Sequence, residues 1–334
     1  MKPVSLTAVA SYLPENIVDN DFFAVEAGVK THAMFRATRL RRHIARDETC
    51  CDMGKIAINR LCEKANIDLE KDVDILITNA TLPDIPFVGV GAALVGELNL
   101  KPKFIYDIQS GGCVSFIFMM ELARALITSS DARSAIICNF QTAAGRIFAL
   151  SDNRKLPQSA VPGDGCGVGY ITADDTSPIE SIVTRVHGES ATDMFPVTPD
   201  GRKWWEPGFP ALNLDFNKSK VALILSRGNR LVPEVLSMAL DKAHLGSKDI
   251  DAMVTNQPNK IFLRNWREAM EIPEEKQVET FDEYGNLFGS ALPICFERGV
   301  DTGVIQPGSK VLMGGFSHAG DYTAGAVVHW HKKG

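Results

Sequence analysis

The chain has 334 residues, of which 45% are hydrophobic and 23% charged, with a formal net charge of −6. This is the composition of a globular protein long enough for one large or two medium domains, and an acidic balance without a sustained Lys/Arg run argues against a nucleic-acid partner. No apolar stretch approaches the roughly 20 residues that cross a bilayer, and the opening MKPVSLTAVASYLPENIV runs into Pro and Glu instead of a cleavage pattern, so a cytoplasmic protein without a membrane partner is expected.

Apolar runs that read as strands alternate with helical ones along the chain. PVSLTAVA (3–10) is a first strand, and CDMGKIAINRLCEKANI (51–67) places Met53, Ile56, Ala57, Leu61 and Ala65 on one helical stripe. RATRLRRHIAR (36–46) is the one basic cluster, either a solvated face or a small patch suited to a phosphate-bearing ligand. Next come the strand VDILITNA (73–80), a Pro-rich turn, a helix through GVGAALVGEL (89–98) and the strand KFIYDI (103–108). A helix over 113–127 and the strand SAIICNF (134–140) follow, and PGDGCGVGYI (162–171) is a Gly-rich turn entering a strand. Such strands, separated by helices, predict a mostly parallel sheet covered on both faces.

The rhythm then repeats. Residues 220–245 form a long helix, interrupted around Gly228 and Pro233, and DAMVTNQPN (251–259) is a strand and loop. Residues 260–272 are a helix, EYGNLFGSALPICFERGV (283–300) a turn opening another, and 310–330 a closing strand pair. Two α/β halves fit this pattern, 1–172 and 173–334. The loop TPDGRKWWEPGFPALNLDF (198–216) carries Trp204, Trp205 and Phe209, which either line a groove or pack in a core.

The seven cysteines include no CxxC pair and no His at metal-ligand spacing, so neither disulfides nor a structural metal is expected. Cys113, in DIQSGGCVSF (107–116), is different: it follows two glycines and begins a helix. A thiol there meets unpaired backbone N–H groups, which favour the thiolate, so its pKa should fall. The glycines allow a tight turn and close approach of a carbonyl to backbone amides. On this pattern alone, Cys113 is either a nucleophile or a small residue filling a corner.

The ordered set SYLPENIVDN, RRHIA, GGCVSF, PGDGCGVGYI, NQPN and YGNLFGSALP resembles the ketoacyl-acyl-carrier-protein synthase III family of the thiolase superfamily, nearly end to end. The resemblance implies a thiolase-like five-layer αβαβα fold of two similar halves, a homodimer, and acyl-coenzyme A or acyl carrier protein as substrate with no cofactor. Cys113 matches the family's acyl-accepting nucleophile and an oxyanion-hole amide, and Asn286 matches the asparagine of its triad. Asn256 stands where the family carries a histidine, whether by natural divergence or by replacement; it can donate a hydrogen bond but cannot act as a base. His318, in the C-terminal Gly-rich loop, is the candidate for the missing base.

Arg36 matches an arginine that contacts the nucleotide end of coenzyme A, His32 stands where an adenine-stacking tryptophan is usual, and Phe87 matches a phenylalanine that reaches across the dimer to the partner's acyl pocket. The resemblance implies acyl transfer to Cys113 and then to a malonyl- or β-ketoacyl-derived carbanion, in a specialised metabolic pathway. Acyl transfer to an alcohol or amine, and a non-catalytic partner subunit, remain alternatives.

Overall fold

The computed structural model describes residues 2–23, 38–85, 87–198, 200–203, 206, 213–216 and 218–331. The chain runs β1 (Ser5–Tyr12), β2 (Asn16–Asp19), β3 (Leu40–His43), α1 (Cys50–Ala65), β4 (Ile75–Ala80), α2 (Gly91–Glu97), β5 (Phe104–Asp107), α3 (Ser115–Ser129), β6 (Ser134–Gln141) and β7 (Gly165–Thr172). It continues β8 (Ile179–Val186), β9 (Met194–Val197), β10 (Asn213–Phe216), α4 (Val221–Lys242), β11 (Ala252–Thr255), α5 (Lys260–Ala269), β12 (Gln277–Val278), α6 (Ala291–Asp301), β13 (Ser309–Ser317) and β14 (Tyr322–Trp330). The remaining helical pieces are short.

Two five-stranded sheets have the orders β1-β7-β6-β4-β5 and β8-β14-β13-β11-β12. In each, four strands run the same way and one, β7 or β14, runs antiparallel between two of them. The expected mostly parallel arrangement is present in each sheet, and its one reversed strand arises because β6–β7 and β13–β14 follow one another without a crossover helix. Reading the two lists side by side, every strand and helix of the first sheet has a counterpart in the second. The β5–α3 connection, which carries Cys113, is equivalent to the β12–α6 connection, which carries Asn286.

Packing follows from which faces are apolar. One core joins α3 and α6 to the inner faces of both sheets, through Phe116, Ile117, Met120, Leu292 and Phe296. A second packs α1 and α2 against the outer face of the first sheet, and a third packs α4 and α5 against the outer face of the second. These are the five layers, α, β, α, β, α. Burying Phe116, Ile117, Met119, Met120 and Ile127 of α3 contributes on the order of 10 kcal/mol as an upper figure. Residues 112–129 are by length and composition apolar enough to cross a membrane, and the packing of α3 between the two sheets accounts for that character, which the sequence reading did not flag.

Local signals account for most boundaries. Helix α1 opens on a reciprocal cap between Thr49 and Asp52 and ends at Asn66 in the left-handed region. Its buried stripe is turned slightly from the predicted one, with Ile58 inside and Ile56 partly exposed. Helix α5 is capped by Asn259, whose side chain accepts from the Phe262 N–H. Helix α4 is continuous through Pro233, which corrects the expected interruption. The carbonyl of Gly228 accepts a hydrogen bond from Trp266 Nε1 at 3.0 Å, and a Cβ at 228 would come within 2.8 Å of the Phe262 ring, so α5 presses on α4 where the break was expected.

Asp164, fully buried, fastens the turn before β7. Its carboxylate accepts from the backbone N–H groups of Ile44 (2.9 Å), Ala144 (2.8 Å) and Gly145 (2.7 Å). Burial pushes its pKa up to about 7 against the pull of those three amides. A carboxyl group with a raised folded pKa stabilises the fold fully below about pH 4 and loses that contribution as pH rises to about 7. Asp164→Asn places an NH2 against backbone donors. We expect it to lower unfolding stability by about 2 kcal/mol and to flatten the stability profile between those pH values, as read from denaturation midpoints.

Candidate active site

Cys113 lies on a single 3-10 turn, Gly112–Val114, and α3 begins only at Ser115, two residues later than predicted. Gly111 (φ 86°) and Gly112 (φ 43°) are both left-handed, a conformation that costs glycine nothing. The turn faces the β13–β14 hairpin. A side chain at 112 would collide with Ser317 Oγ and come within 2.8 Å of Cε1 and Nε2 of the His318 ring. On its other side, a Cβ at Gly289 would stand 2.9 Å from the Gly112 carbonyl oxygen. The cysteine turn is thus held between the β13–β14 turn and the segment following Asn286.

Two features of the thiol differ from expectation. Its pKa is pushed up to about 11, chiefly by burial, although the His318 backbone and the Ser317 hydroxyl pull it down. The residue keeps partial exposure, yet desolvation of the sulfur outweighs the short turn's dipole. Second, the Cys113 N–H, the expected oxyanion donor, is taken: it donates to Ser317 Oγ at 2.9 Å. An acyl carbonyl would have to displace that hydroxyl.

Asn256 is buried, and its side chain is committed at both ends to one residue. Oδ1 accepts from the Phe316 N–H (3.2 Å) and Nδ2 donates to the Phe316 carbonyl (3.0 Å). Its own N–H donates to Gly314, so the side chain extends the β11–β13 pairing by a further rung. Gly315 (φ 153°) leaves room for it, because a Cβ there would collide with Oδ1. One Nδ2 hydrogen remains.

Asn286 is held differently. Its N–H donates to the Val161 carbonyl (2.9 Å) and its carbonyl accepts from Gly163 (3.0 Å), while Oδ1 accepts from the Phe288 N–H (3.0 Å). Among the described residues its Nδ2 has no partner. The turn is therefore fixed while one amide donor stays available.

His318 (φ 49°) sits on the β13–β14 turn with its Nδ1 3.0 Å from each carboxylate oxygen of Asp321. Its side chain is 35% exposed and that of Asp321 only 10%. Arg227 fastens the turn from α4, donating to the Ala319 carbonyl (2.6 Å) and pairing with buried Asp193 (3.1 Å). Sequence reasoning named His318 but missed Ser317, Asp321 and Arg227; the His-x-x-Asp spacing in SHAGD was the available signal. It also missed a buried polar layer beneath the cysteine turn, where Asn139 Nδ2 donates to Ser115 Oγ at 2.6 Å and Ser115 donates to Asn79 Oδ1 at 3.2 Å.

The other expected ligand contacts are placed less fully. His32 and Arg36, with Trp204, Trp205 and Phe209, lie outside the described residues. Phe87 is 96% exposed, with φ 69°, and projects beside the free edge of the first sheet near exposed Ile85 and Val88. It does not pack against its own chain's Cys113. Of the remaining histidines, His43 is buried and its pKa is driven down to about 4 by desolvation and Arg41, while His187 hydrogen-bonds Thr323.

Residues 240–330 match the family model for the C-terminal part of 3-oxoacyl-[acyl-carrier-protein] synthase III. The chain is 26% identical to a β-ketoacyl-[acyl-carrier-protein] synthase III of Deinococcus radiodurans, over 99% of this chain and 95% of that one. Among solved structures, the synthase III of Thermus thermophilus superposes with a TM-score of 0.84 at 24% identity, covering 99% of this chain and 100% of the other. The priming β-ketosynthase of the R1128 polyketide pathway superposes with a TM-score of 0.85 at 21% identity, covering 100% of this chain and 98% of the other. With the doubled βα topology and the placement of residues 113 and 286 on equivalent connections, the chain has the fold of these synthases over its whole length and is similar in sequence to the ketoacyl-acyl-carrier-protein synthase III family, most specifically over residues 240–330.

Proposed function

We propose that the protein is an acyl-thioester condensing enzyme in which Cys113 accepts the acyl group. The observation that carries this reading is the seating of the thiol: a turn with two left-handed glycines holds it between the His318 turn and the Asn286 segment. A covalent acyl-enzyme divides one difficult condensation into two easier steps. In the first, the thiol of Cys113 displaces the carrier thiol of an acyl-coenzyme A or acyl carrier protein, with His318 as base. In the second, a carbanion from a malonyl or β-ketoacyl thioester attacks, and Asn286 Nδ2 donates to the oxygen on which charge develops.

A second reading is acyl transfer to an alcohol or amine. The observation favouring it is Asn256, whose bonds to Phe316 leave a single hydrogen for an enolate oxygen. A non-catalytic partner subunit is the third reading, and the accessible Nδ2 of Asn286 argues against it. We assign the catalytic surfaces to two halves, 1–172 and 173–334, acting in the cytoplasm, in a specialised pathway. We further propose a homodimer: β5 is a free sheet edge, and Ile85, Phe87, Val88, Ile105 and Tyr106 form an exposed apolar surface beside it.

Incubation with a panel of acyl thioesters, followed by intact and peptide mass measurement, should place one acyl group on Cys113. Cys113→Ala should abolish it, and an adduct on no cysteine would sink the proposal. Release of carbon dioxide when a malonyl thioester discharges the adduct identifies condensation, whereas discharge only to an alcohol or amine identifies the second reading. Asn286→Ala should leave acylation within about twofold while slowing discharge roughly 10²-fold, the usual scale for one oxyanion donor; equal loss in both steps would assign it a structural role. Phe87→Glu should shift sedimentation from dimer to monomer, and an unchanged dimer would move the interface elsewhere.

A further inference from the structure

Resting on the acyl-Cys113 reading, we propose that His318 and Asp321 act as the proton-handling pair of this site, with Asp321 as the positioning residue that fixes the imidazole. Asp321 presents both carboxylate oxygens 3.0 Å from Nδ1. A carboxylate accepts only, so in the neutral ring Nδ1 carries the hydrogen and Nε2 carries the lone pair. Nε2 lies with Cε1 on the edge of the ring that borders Gly112, the residue preceding the nucleophile. The same residue also reaches the thiol through its backbone, which favours the thiolate.

The surroundings leave little freedom to this pair. The turn is short, His318 is left-handed, and the Asp321 carboxylate also accepts from the Tyr322 N–H at 3.1 Å. The Asp321 carbonyl accepts from the His187 N–H at 2.7 Å, and Arg227 clamps Ala319 between them. The titratable groups placed against the imidazole are Asp321 and Tyr322 of the hairpin, while Arg227 of α4 reaches the same turn at the Ala319 carbonyl. Arg227 is itself paired with Asp193, which leaves Asp321 as the unneutralised charge nearest the ring.

The chemistry balances without a further reactant. Nε2 takes the thiol proton, the sulfur attacks the thioester carbonyl, and the carrier sulfur leaves with the proton returned from Nε2. The histidine ends neutral. Position 256, an asparagine with no basic atom, takes no part in this transfer.

The test is the pH profile of Cys113 alkylation by iodoacetamide, read by peptide mass in the full-length protein, alongside acylation by an acyl-coenzyme A. In the native chain the rate should rise through an inflection that depends on His318. His318→Gln should lose that inflection, follow the titration of the buried thiol instead, and slow reaction at pH 7 by roughly 10²-fold or more. Asp321→Asn should move the inflection downward, since removing a carboxylate disfavours imidazolium, and slow reaction about tenfold. Asp321→Glu should recover part of both, with unchanged melting temperatures confirming folded variants.

Identical profiles for the native chain and Asp321→Asn, or a retained inflection in His318→Gln, would overturn the proposal. If alkylation behaves as expected but no acyl group loads, the pair stands and the acyl-enzyme reading falls. If loading occurs equally in all variants, the reverse holds.

Discussion

The site depends on one hydrogen bond between two distant parts of the chain, the N–H of Cys113 donating to Ser317 Oγ at 2.9 Å. It closes the β13–β14 turn onto the cysteine turn, and it exists because Gly112 has no side chain to hold them apart. Arg227 and the Asp321 carboxylate then brace the same turn from behind. On the proposed reading the bond uses the amide that an acyl oxygen would use, so substrate entry and turn closure would compete for one donor.

Burial has a matching consequence for the sulfur. Desolvation lifts the thiol to about 11, which makes it a poor spontaneous nucleophile near neutrality and demands a base at hand. In a chain with asparagine at 256, that base has to come from elsewhere, and Asn256 is occupied in joining β11 to β13. His318, oriented by a carboxylate and bordering the preceding glycine, is the group we propose for that role. The two departures, a committed Asn256 and an added His-x-x-Asp turn, fit one explanation.

Much of the fold was legible because its signals are local. Thr49 and Asn259 mark helix starts, mainly apolar runs such as 134–140 mark strands buried on both faces, and the order of motifs pointed to the doubled architecture. Cys113, Asn286 and His318 stood out by residue type and neighbours. What escaped were relations across long sequence separations. Nothing near Ser317 announces that it accepts from residue 113, and nothing near Pro233 announces that Trp266 bonds the Gly228 carbonyl at the expected break. The raised thiol pKa escaped for the same reason: a helix-start argument sees the dipole but not the desolvation that both halves impose together.

The most direct measurement is a structure of the protein acylated on Cys113. The account predicts the acyl oxygen about 3 Å from the Cys113 N–H, with the Ser317 hydroxyl displaced and the His318 ring still held by Asp321. An acyl oxygen directed away from that amide, with Ser317 still accepting from it, would contradict the account.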